Sequence, residues 1–188
     1  MKTILATGAS RGIGLEWTRQ CLQRGHRLIA TCRNPAGAAE LGDLLDLHPD
    51  RLEILPLEVE DESSVQAAFG QLDQRGEAIN LLFNNAGIMD WDDFQSVSAA
   101  STEKIYKVNL VGALLVLRAA LPCLRRADSP VVVNVSSRLG SIALRGGTQL
   151  GGAIAYQCSK AALNMLTKQA SIDLAADGVT VVSQSPGW

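Results

Sequence analysis

The strongest constraint on the fold of this chain is a regular alternation between short apolar segments and longer segments of helical periodicity. The short segments are rich in β-branched and aliphatic residues and are apolar nearly throughout, which is typical of strands covered on both faces. This alternation predicts a parallel, doubly wound α/β sheet with right-handed crossovers, arranged as three αβα layers. The predicted strands are residues 3–7, 27–31, 52–57, 80–84, 131–136 and 179–183.

The segments between the predicted strands carry signals of helix starts and ends. Asn34 followed by Pro35 predicts a helix start, because asparagine caps helices well and proline is tolerated at the first helical position. Two long helices are predicted over about residues 102–124 and 153–176, and Pro122 should bend or end the first of them. No internal repeat or linker is visible, so residues 1–188 are predicted to form a single domain.

The composition excludes several functional classes. Apolar residues make up 47% and charged residues 19% of the chain, as in an ordinary globular protein. The net charge of −2 gives no general attraction to nucleic acid or to an anionic membrane, and polar residues interrupt the most apolar stretch, which is predicted to be a buried helix. The four cysteines form no CxxC pair, and His26 and His48 have no ligand spacing. We therefore expect reduced thiols, a cytoplasmic location and no metal site.

A glycine-rich turn follows the first predicted strand. Gly8, Gly12 and Gly14 have the spacing GxxxGxG and open an amphipathic helix. A phosphate-binding turn needs backbone without Cβ where the chain bends and where a pyrophosphate approaches, with a helix N-terminus aimed at the anion. Three glycines also fit an ordinary structural turn, but the strand–turn–helix context favours a dinucleotide site.

The end of the second predicted strand indicates which dinucleotide would bind. An acidic residue there would accept a hydrogen bond from the ribose 2′-hydroxyl and favour NAD. This chain has Cys32 followed by Arg33, and Arg11 lies within the glycine-rich turn. Two cations at these positions predict recognition of the 2′-phosphate of NADP(H), with NAD(H) as the less favoured cofactor. The alternative is that both arginines are solvated surface residues.

Tyr156 and Lys160 are four residues apart in a predicted helix, so they lie on one helix face. A phenol has a pKa of about 10 in water and is a poor base near neutrality, but a neighbouring ammonium favours the phenolate and lowers that pKa. The pair can therefore act as a general acid in carbonyl reduction, or as a base in the reverse direction. On its own, a YxxxK pattern is a weak signal.

Six motifs along the chain together resemble the short-chain dehydrogenase/reductase family. Their order and spacing are similar to those of the family over nearly the whole chain. The resemblance implies a Rossmann fold and the NADPH-dependent reduction of an aldehyde or ketone, or oxidation of the alcohol. The motifs are TGASRGIG at 7–14, NNAG at 84–87, Asn109 in the long helix, NVSS at 134–137, YxxxK at 156–160 and SPG at 185–187.

The resemblance implies roles for four residues at the reacting end of the site. Tyr156 would transfer the proton, and Lys160 would lower the pKa of Tyr156 and hold the nicotinamide ribose. Ser137, rather than Ser136, would form a hydrogen bond with the substrate carbonyl oxygen. Asn109 would hold a water that connects Lys160 to solvent. That role is compatible with a buried helix residue bonded to local backbone.

The resemblance also implies a set of cofactor-binding residues. Residues 85–87 would line the adenosine side and support the central strand. The family usually has Asp-Val where this chain has Glu58 and Val59, so a contact with adenine would depend on a longer carboxylate. The complete set is Gly8, Ser10, Arg11, Gly12, Ile13, Gly14, Arg33, Glu58, Val59, Asn85, Ala86, Gly87, Tyr156, Lys160, Pro186 and Gly187.

Two further stretches resemble the C-factor and sniffer-like carbonyl reductases within that family: SSRLGSI at 136–142 and KAALNM at 160–165. That group has a longer insert between the serine and the tyrosine. Here the insert is residues 143–155, and we expect it to form a mobile rim of the substrate pocket. Trp91 and Phe94 would either line that pocket or simply pack.

The resemblance also leads us to expect a chain truncated after SPG at 185–187, because the family continues with a substrate-covering helix and a last strand. The sixth strand would then be an unprotected edge. Two alternatives stay open: a non-catalytic nucleotide-binding or signalling protein, and a structural fragment that pairs through this edge. The expected partner is a small carbonyl or alcohol. Family dimers usually use the two long helices, so a homodimer is also an open prediction.

Overall fold

A parallel sheet runs through the middle of the protein, whose computed structural model describes residues 1–145 and 151–187. The register is regular, with Thr3 opposite Arg27 on one side of the first strand and Ile4 opposite Leu81 on the other. The strands are β1 (Thr3–Thr7), β2 (Arg27–Cys32), β3 (Leu52–Pro56), β4 (Leu81–Asn84), β5 (Val131–Val135) and β6 (Thr180–Gln184).

Helices connect these strands and cover both faces of the sheet. A π-helical segment, Lys107–Gly112, joins two of them into one continuous helix. Short 3₁₀ turns lie at Pro35–Gly37, Arg138–Gly140 and Ala175–Asp177. The α-helices are α1 (Gly12–Gln23), α2 (Ala39–Leu47), α3 (Glu62–Gln74), α4 (Ala99–Tyr106), α5 (Ala113–Arg125) and α6 (Ile154–Asp173).

Two apolar cores, one on each face of the sheet, hold the three layers together. Successive strand residues point to opposite faces, so Leu5 enters the core beneath α3 and α5, whereas Ile4 enters the core beneath α1 and α2. Both side chains are buried. The predicted three-layer αβα architecture is therefore confirmed for the described residues.

The strand order creates a crevice at one edge of the sheet. Within the described residues the order is β3-β2-β1-β4-β5-β6, so the chain builds outward in one direction from β1 and then in the other. The carboxyl ends of β1 and β4, at Thr7 and Asn84, lie side by side where the direction reverses. In open α/β sheets this switch point is where ligands bind.

The helix boundaries differ from the predictions in two places. The first long helix begins at Ala99, because the Ser98 side chain accepts a hydrogen bond from the Ser101 N–H and caps it. It continues to Arg125, so Pro122 lies in its last turn. Pro35 begins a 3₁₀ turn rather than the α-helix. The Asn34 side chain closes that turn on the Gly37 N–H, and α2 starts only at Ala39.

The far edge of the sheet is exposed in the described residues. β6 is the outermost strand next to β5, and Val181 is its one buried residue.

By length and composition alone, the helix Ala99–Arg125 is apolar enough to cross a membrane. Residues such as Val116 and Leu117 pack in the core against the sheet, which is the arrangement of a core helix.

Candidate active site

The glycine-rich turn brings the end of β1 against the start of α1. Gly8 has φ +64°, and a Cβ there would lie 3.0 Å from the Cα of Ala86. A Cβ at Gly14 would lie 2.3 Å from the Gly8 carbonyl oxygen and 2.6 Å from Nδ2 of Asn85. A side chain at either position would collide with backbone or with a neighbouring residue. The turn therefore leaves the amino end of α1 open to an anion.

Thr7 and Asn85 brace this turn from the neighbouring strand. Asn85 Nδ2 donates to the carbonyl oxygens of Thr7 and Gly8, at 3.0 and 3.1 Å. The buried Thr7 hydroxyl oxygen accepts from the N–H groups of Asn85 and Ala86, at 3.0 and 3.1 Å. Asn85 and Ala86 thus support the end of the first strand, as expected, whereas the same role for Gly87 stays a prediction. Thr7 was absent from the predicted site residues, although its place directly before Gly8 was the available signal.

Two arginines stand at one end of the crevice. Arg11 precedes α1 and Arg33 follows β2, and both are exposed. They line the crevice and also a shallow hollow beside it, together with Ser10, Asn34 and the acidic Glu40. The arrangement places two cations within reach of an anionic group bound beside the glycine-rich turn.

The crevice is a cavity of about 480 Å³, within the range of small-molecule sites. Gly14 lies beneath the turn and Gly187 lies outside the cavity lining, so these two of the predicted cofactor residues do not line it. Lining residues that sequence reasoning missed include Leu57, Ile88 and Met89, which follow strand ends. The predicted residues that do line it are Gly8, Ser10, Arg11, Gly12, Ile13, Arg33, Glu58, Val59, Asn85, Ala86, Gly87, Ser137, Tyr156, Lys160 and Pro186.

Lys160 lies at the bottom of the other end of the cavity. Its side chain is buried, with 4% of the residue exposed, and Nζ donates to the Val135 carbonyl oxygen at 2.8 Å. Nζ also lies 5.6 Å from the centroid of the Tyr156 ring. Burial lowers the pKa of Lys160 to about 8, because the charged form loses its hydration.

The pKa of Tyr156 is shifted in the direction opposite to the prediction. Burial raises its pKa, and a side-chain hydrogen bond with Ser137 partly offsets that rise. We expected Lys160 to lower the pKa of this phenol. That expectation is wrong for the protein alone, because burial of Tyr156 dominates its pKa and Lys160 is not among the causes of the shift. The structure therefore favours the neutral phenol.

Asn109 lies behind the cavity, within the π-helical segment, and its side chain is buried. Oδ1 accepts from the Ile88 N–H at 2.8 Å, and Nδ2 donates to the Ile88 carbonyl oxygen and to Oγ of Ser159 at 2.9 and 3.0 Å. Ser159 in turn donates to the Tyr156 carbonyl oxygen at 2.7 Å. Asn109 thus ties the segment after β4 to the tyrosine-bearing helix. This matches the reading of a buried helix residue bonded to local backbone.

A comparison with known protein families agrees with this geometry. The family model described as short chain dehydrogenase matches residues 2–188. The chain belongs to the short-chain dehydrogenase family.

Relatives of this short-chain dehydrogenase confirm the resemblance to the C-factor and sniffer-like group. An NADPH-bound carbonyl reductase from chicken fatty liver superposes with a TM-score of 0.94 at 38% identity, over 100% of this chain and 80% of that one. The carbonyl reductase Sniffer of D. melanogaster gives 0.92 at 32% identity, over 100% and 81%. C-signal from Myxococcus xanthus is 40% identical over 111 residues, which are 58% of this chain and 65% of that protein.

The rim of the dehydrogenase cavity is only partly as predicted. Trp91 and Phe94 are 65% and 87% exposed, and neither lines the cavity or packs in a core. Residues 146–150 of the insert at 143–155 lie outside the described residues, so its expected mobility stays a prediction. The described end of the insert reaches the loop after β4, where the Ile154 N–H donates to the Asp92 carbonyl oxygen at 3.4 Å.

Within the described residues of this protein, no group of three or more His, Cys, Asp or Glu could hold a metal ion. Its four cysteines are free thiols.

Glu58 lines the cavity, and its backbone N–H donates to the Ser64 hydroxyl at 2.9 Å, which fixes the chain where β3 passes into α3.

Proposed function

We propose that this protein is an NADP(H)-dependent oxidoreductase that reduces an aldehyde or ketone, or oxidises the corresponding alcohol. The observation that carries the proposal is the convergence of Ser137, Tyr156 and Lys160 at one end of a cavity. The other end is formed by a glycine-rich turn beside Arg11 and Arg33. A proton donor and a dinucleotide cradle facing the same space are what hydride transfer to a carbonyl requires.

The cradle fits a nicotinamide dinucleotide. Gly8 and Gly12 line the cavity without side chains, and nothing lies within 4 Å of the place where a Gly12 Cβ would stand, so the turn leaves room for the close backbone approach that a pyrophosphate needs. Residues 8–14 would hold the pyrophosphate, and residues 85–87 and Glu58 with Val59 would flank the adenosine. Lys160 and Tyr156 would contact the nicotinamide ribose, with Pro186 and Gly187 beside the nicotinamide. When bound, the nicotinamide supplies or accepts the hydride.

The choice of NADP(H) over NAD(H) depends on charge at the end of β2. Arg33 follows Cys32 where a ribose-reading carboxylate would otherwise stand, and Arg11 lies across the same hollow. Two exposed guanidinium groups favour a ribose 2′-phosphate. The structural relative with 38% identity is described as NADPH bound, which supports the same choice.

Proton transfer would follow from the side chains on α6 and after β5. The side chains of Ser137 and Tyr156 interact and both residues line the cavity, so both hydroxyls can reach one substrate oxygen. Because burial raises the pKa of Tyr156, the phenol stays protonated near neutrality and can donate to a carbonyl oxygen during reduction. Lys160, buried beneath the ring, and Asn109, which anchors α6 through Ser159, would help to restore that proton.

The decisive test removes one hydroxyl. Tyr156→Phe should lower carbonyl reduction by NADPH about 10²- to 10⁴-fold while NADPH binding, followed by fluorescence titration, is largely kept. Tyr106→Phe is the matched control, because Tyr106 is the only other tyrosine of the chain and does not line the cavity. Equal turnover by the Tyr156→Phe protein would rule out the assigned proton donor.

A second candidate is a non-catalytic nucleotide-binding or signalling protein, favoured by the similarity to C-signal. Saturable NADPH binding without reduction of a panel of aldehydes and ketones would support it over the enzyme. Absence of NADPH binding would reject both and leave the structural fragment that pairs through β6.

We also propose the substrate class, the location and the oligomeric state of this protein. The site would take a small carbonyl or alcohol, and nothing in the charge of the chain favours nucleic acid or membrane. A cytoplasmic location is consistent with four free thiols. A homodimer is supported by exposed apolar side chains on the long helices, among them Leu114 and Met165. Sedimentation velocity would test the dimer.

A further inference from the structure

Asn164 lies one helical turn after Lys160 on α6, and its side chain joins four parts of the chain. Oδ1 accepts hydrogen bonds from the hydroxyls of Ser136 and Ser183, both at 2.7 Å. Nδ2 donates to the Gly140 carbonyl oxygen at 3.4 Å. One amide therefore links α6 to the residue after β5, to β6 and to the 3₁₀ turn Arg138–Gly140.

That 3₁₀ turn rests directly on the backbone of α6. A Cβ at Gly140 would lie 2.7 Å from the carbonyl carbon of Lys160 and 2.8 Å from the nitrogen of Ala161. The turn begins immediately after Ser137, whose Oγ accepts from the Leu139 N–H at 3.1 Å. Any shift of the turn relative to α6 therefore carries Ser137 with it.

Ser136 and Ser137 point their hydroxyls to different partners. Both residues line the cavity, but Ser136 is buried and donates to Asn164, whereas the Ser137 side chain interacts with Tyr156. Because the two residues are adjacent, the hydrogen bond at Ser136 restrains the backbone that presents Ser137. The position of the reacting hydroxyls is thus controlled from outside the cavity.

We propose that Asn164 is a positioning residue that holds the Ser137 hydroxyl beside the Tyr156 phenol by pinning the 3₁₀ turn and the end of β5 to α6. The proposal rests on the proposed function only for its catalytic consequence. Its physical content is a distance between two hydroxyls, which can be tested without turnover.

A matched control lies on the same helix. Thr167 is buried, and its hydroxyl oxygen accepts from Asn134 Nδ2 at 2.9 Å, so it also joins α6 to β5. Thr167 does not contact the 3₁₀ turn through any hydrogen bond found in the described residues. Thr167→Val thus removes a comparable buried hydrogen bond between the same two elements without releasing Ser137.

The test is an ultraviolet titration of the phenol. The chain has two tyrosines, so in a Tyr106→Phe background the phenolate signal reports Tyr156 alone. Lys160 is the charged group in contact with this ring, and it is unchanged in every variant. Ser137→Ala should move the titration midpoint of Tyr156 to higher pH, because the Ser137 hydrogen bond lowers that pKa. Asn164→Leu and Ser136→Ala should move it in the same direction.

Thr167→Val should leave the midpoint in place. In an active enzyme, Asn164→Leu should also lower kcat about tenfold with little change in the KM for NADPH, since a transition-state contact is weakened rather than cofactor binding. Ser136→Ala serves if Asn164→Leu does not fold.

The inference fails if Asn164→Leu and Ser136→Ala leave the midpoint where it is while Ser137→Ala moves it. It also fails if Thr167→Val moves the midpoint as far as Asn164→Leu, or if Ser137→Ala has no effect. A midpoint shift in a protein without reductase activity would support the positioning role and count against the proposed function alone.

Discussion

The two ends of the cavity are built by different physical means. At the β1–α1 end, backbone atoms and exposed cations form the site, with Gly8 and Gly12 keeping space open and Arg33 lining it. At the α6 end, side chains form it, with buried Lys160 bonded to the Val135 carbonyl and Tyr156 interacting with Ser137. Steric limits and solvated charge govern the first end, whereas desolvation governs the second.

The largest effect is expected from a substitution at Gly14, where the packing of the β1–α1 turn leaves no space for a side chain. Gly14→Ala should abolish NADPH binding and lower the free energy of unfolding by about 3 kcal/mol, because its Cβ would overlap the Gly8 carbonyl. Urea denaturation and fluorescence titration measure the two effects. Gly42→Ala in α2, with no atom within 4 Å of the added Cβ, should instead stabilise by up to about 1 kcal/mol. A mild Gly14→Ala phenotype would contradict the steric account.

The buried α6 end should make the free energy of unfolding depend on pH, which distinguishes it from the exposed β1–α1 end. The pKa of Lys160 is about 8 in the folded protein and 10.5 in its ordinary state, so between these pH values the unfolded chain binds more protons. The wild-type free energy of unfolding should therefore rise by about 3 kcal/mol from pH 8 to 10.5 relative to Lys160→Met. Below pH 8 the difference should be constant. The control is Lys168→Met, at an exposed position of α6, whose free energy of unfolding should change with pH in parallel with that of the wild type. If the free energy of unfolding of Lys160→Met also ran parallel to that of the wild type, Lys160 would be hydrated in the folded protein.

One hydroxyl ties the β1–α1 end of the cavity to the segment after β4. Thr7→Val should lower the free energy of unfolding by about 2 kcal/mol, because two backbone N–H groups of residues 85 and 86 lose their acceptor. Chemical denaturation compares it with Thr180→Val on the exposed edge strand, where a change within about 0.5 kcal/mol is expected. An equal loss of unfolding free energy in Thr7→Val and Thr180→Val would mean that water replaces the Thr7 hydroxyl as the acceptor.

The smallest effect is expected from exposed charge. Arg33→Ala should weaken NADPH binding about tenfold and leave NADH binding nearly unchanged, since a solvated guanidinium contributes one charge-assisted contact to the 2′-phosphate. Isothermal titration with both nucleotides measures this. Arg19→Ala on α1, whose guanidinium pairs with Glu16, is the control. Equal losses for NADPH and NADH would argue against 2′-phosphate recognition.

Sequence reasoning succeeded where the signal is local. The strands, the glycine-rich turn and the helical Tyr156–Lys160 pair follow from patterns a few residues long. It failed where the answer depends on distant contacts. Thr7, which was missed, bonds backbone 78 and 79 residues away. Asn109 was identified as a site residue, but its contact with Ser159, 50 residues away, was not predicted. The direction of the Tyr156 pKa was wrong for the same reason, because burial is a property of the assembled layers.

By itself, the sequence determined the three-layer doubly wound sheet and the turn with room for a phosphate, since these follow from short-range periodicity and from the absence of Cβ. Its resemblance to a known family implied most of the side chains that meet in the cavity. Only the tertiary structure decided how those side chains are charged and held. It buries Lys160 beneath the phenol, and it brings Asn164 against two serines and a 3₁₀ turn. Desolvation and hydrogen-bond geometry arise only when elements far apart in the chain pack together.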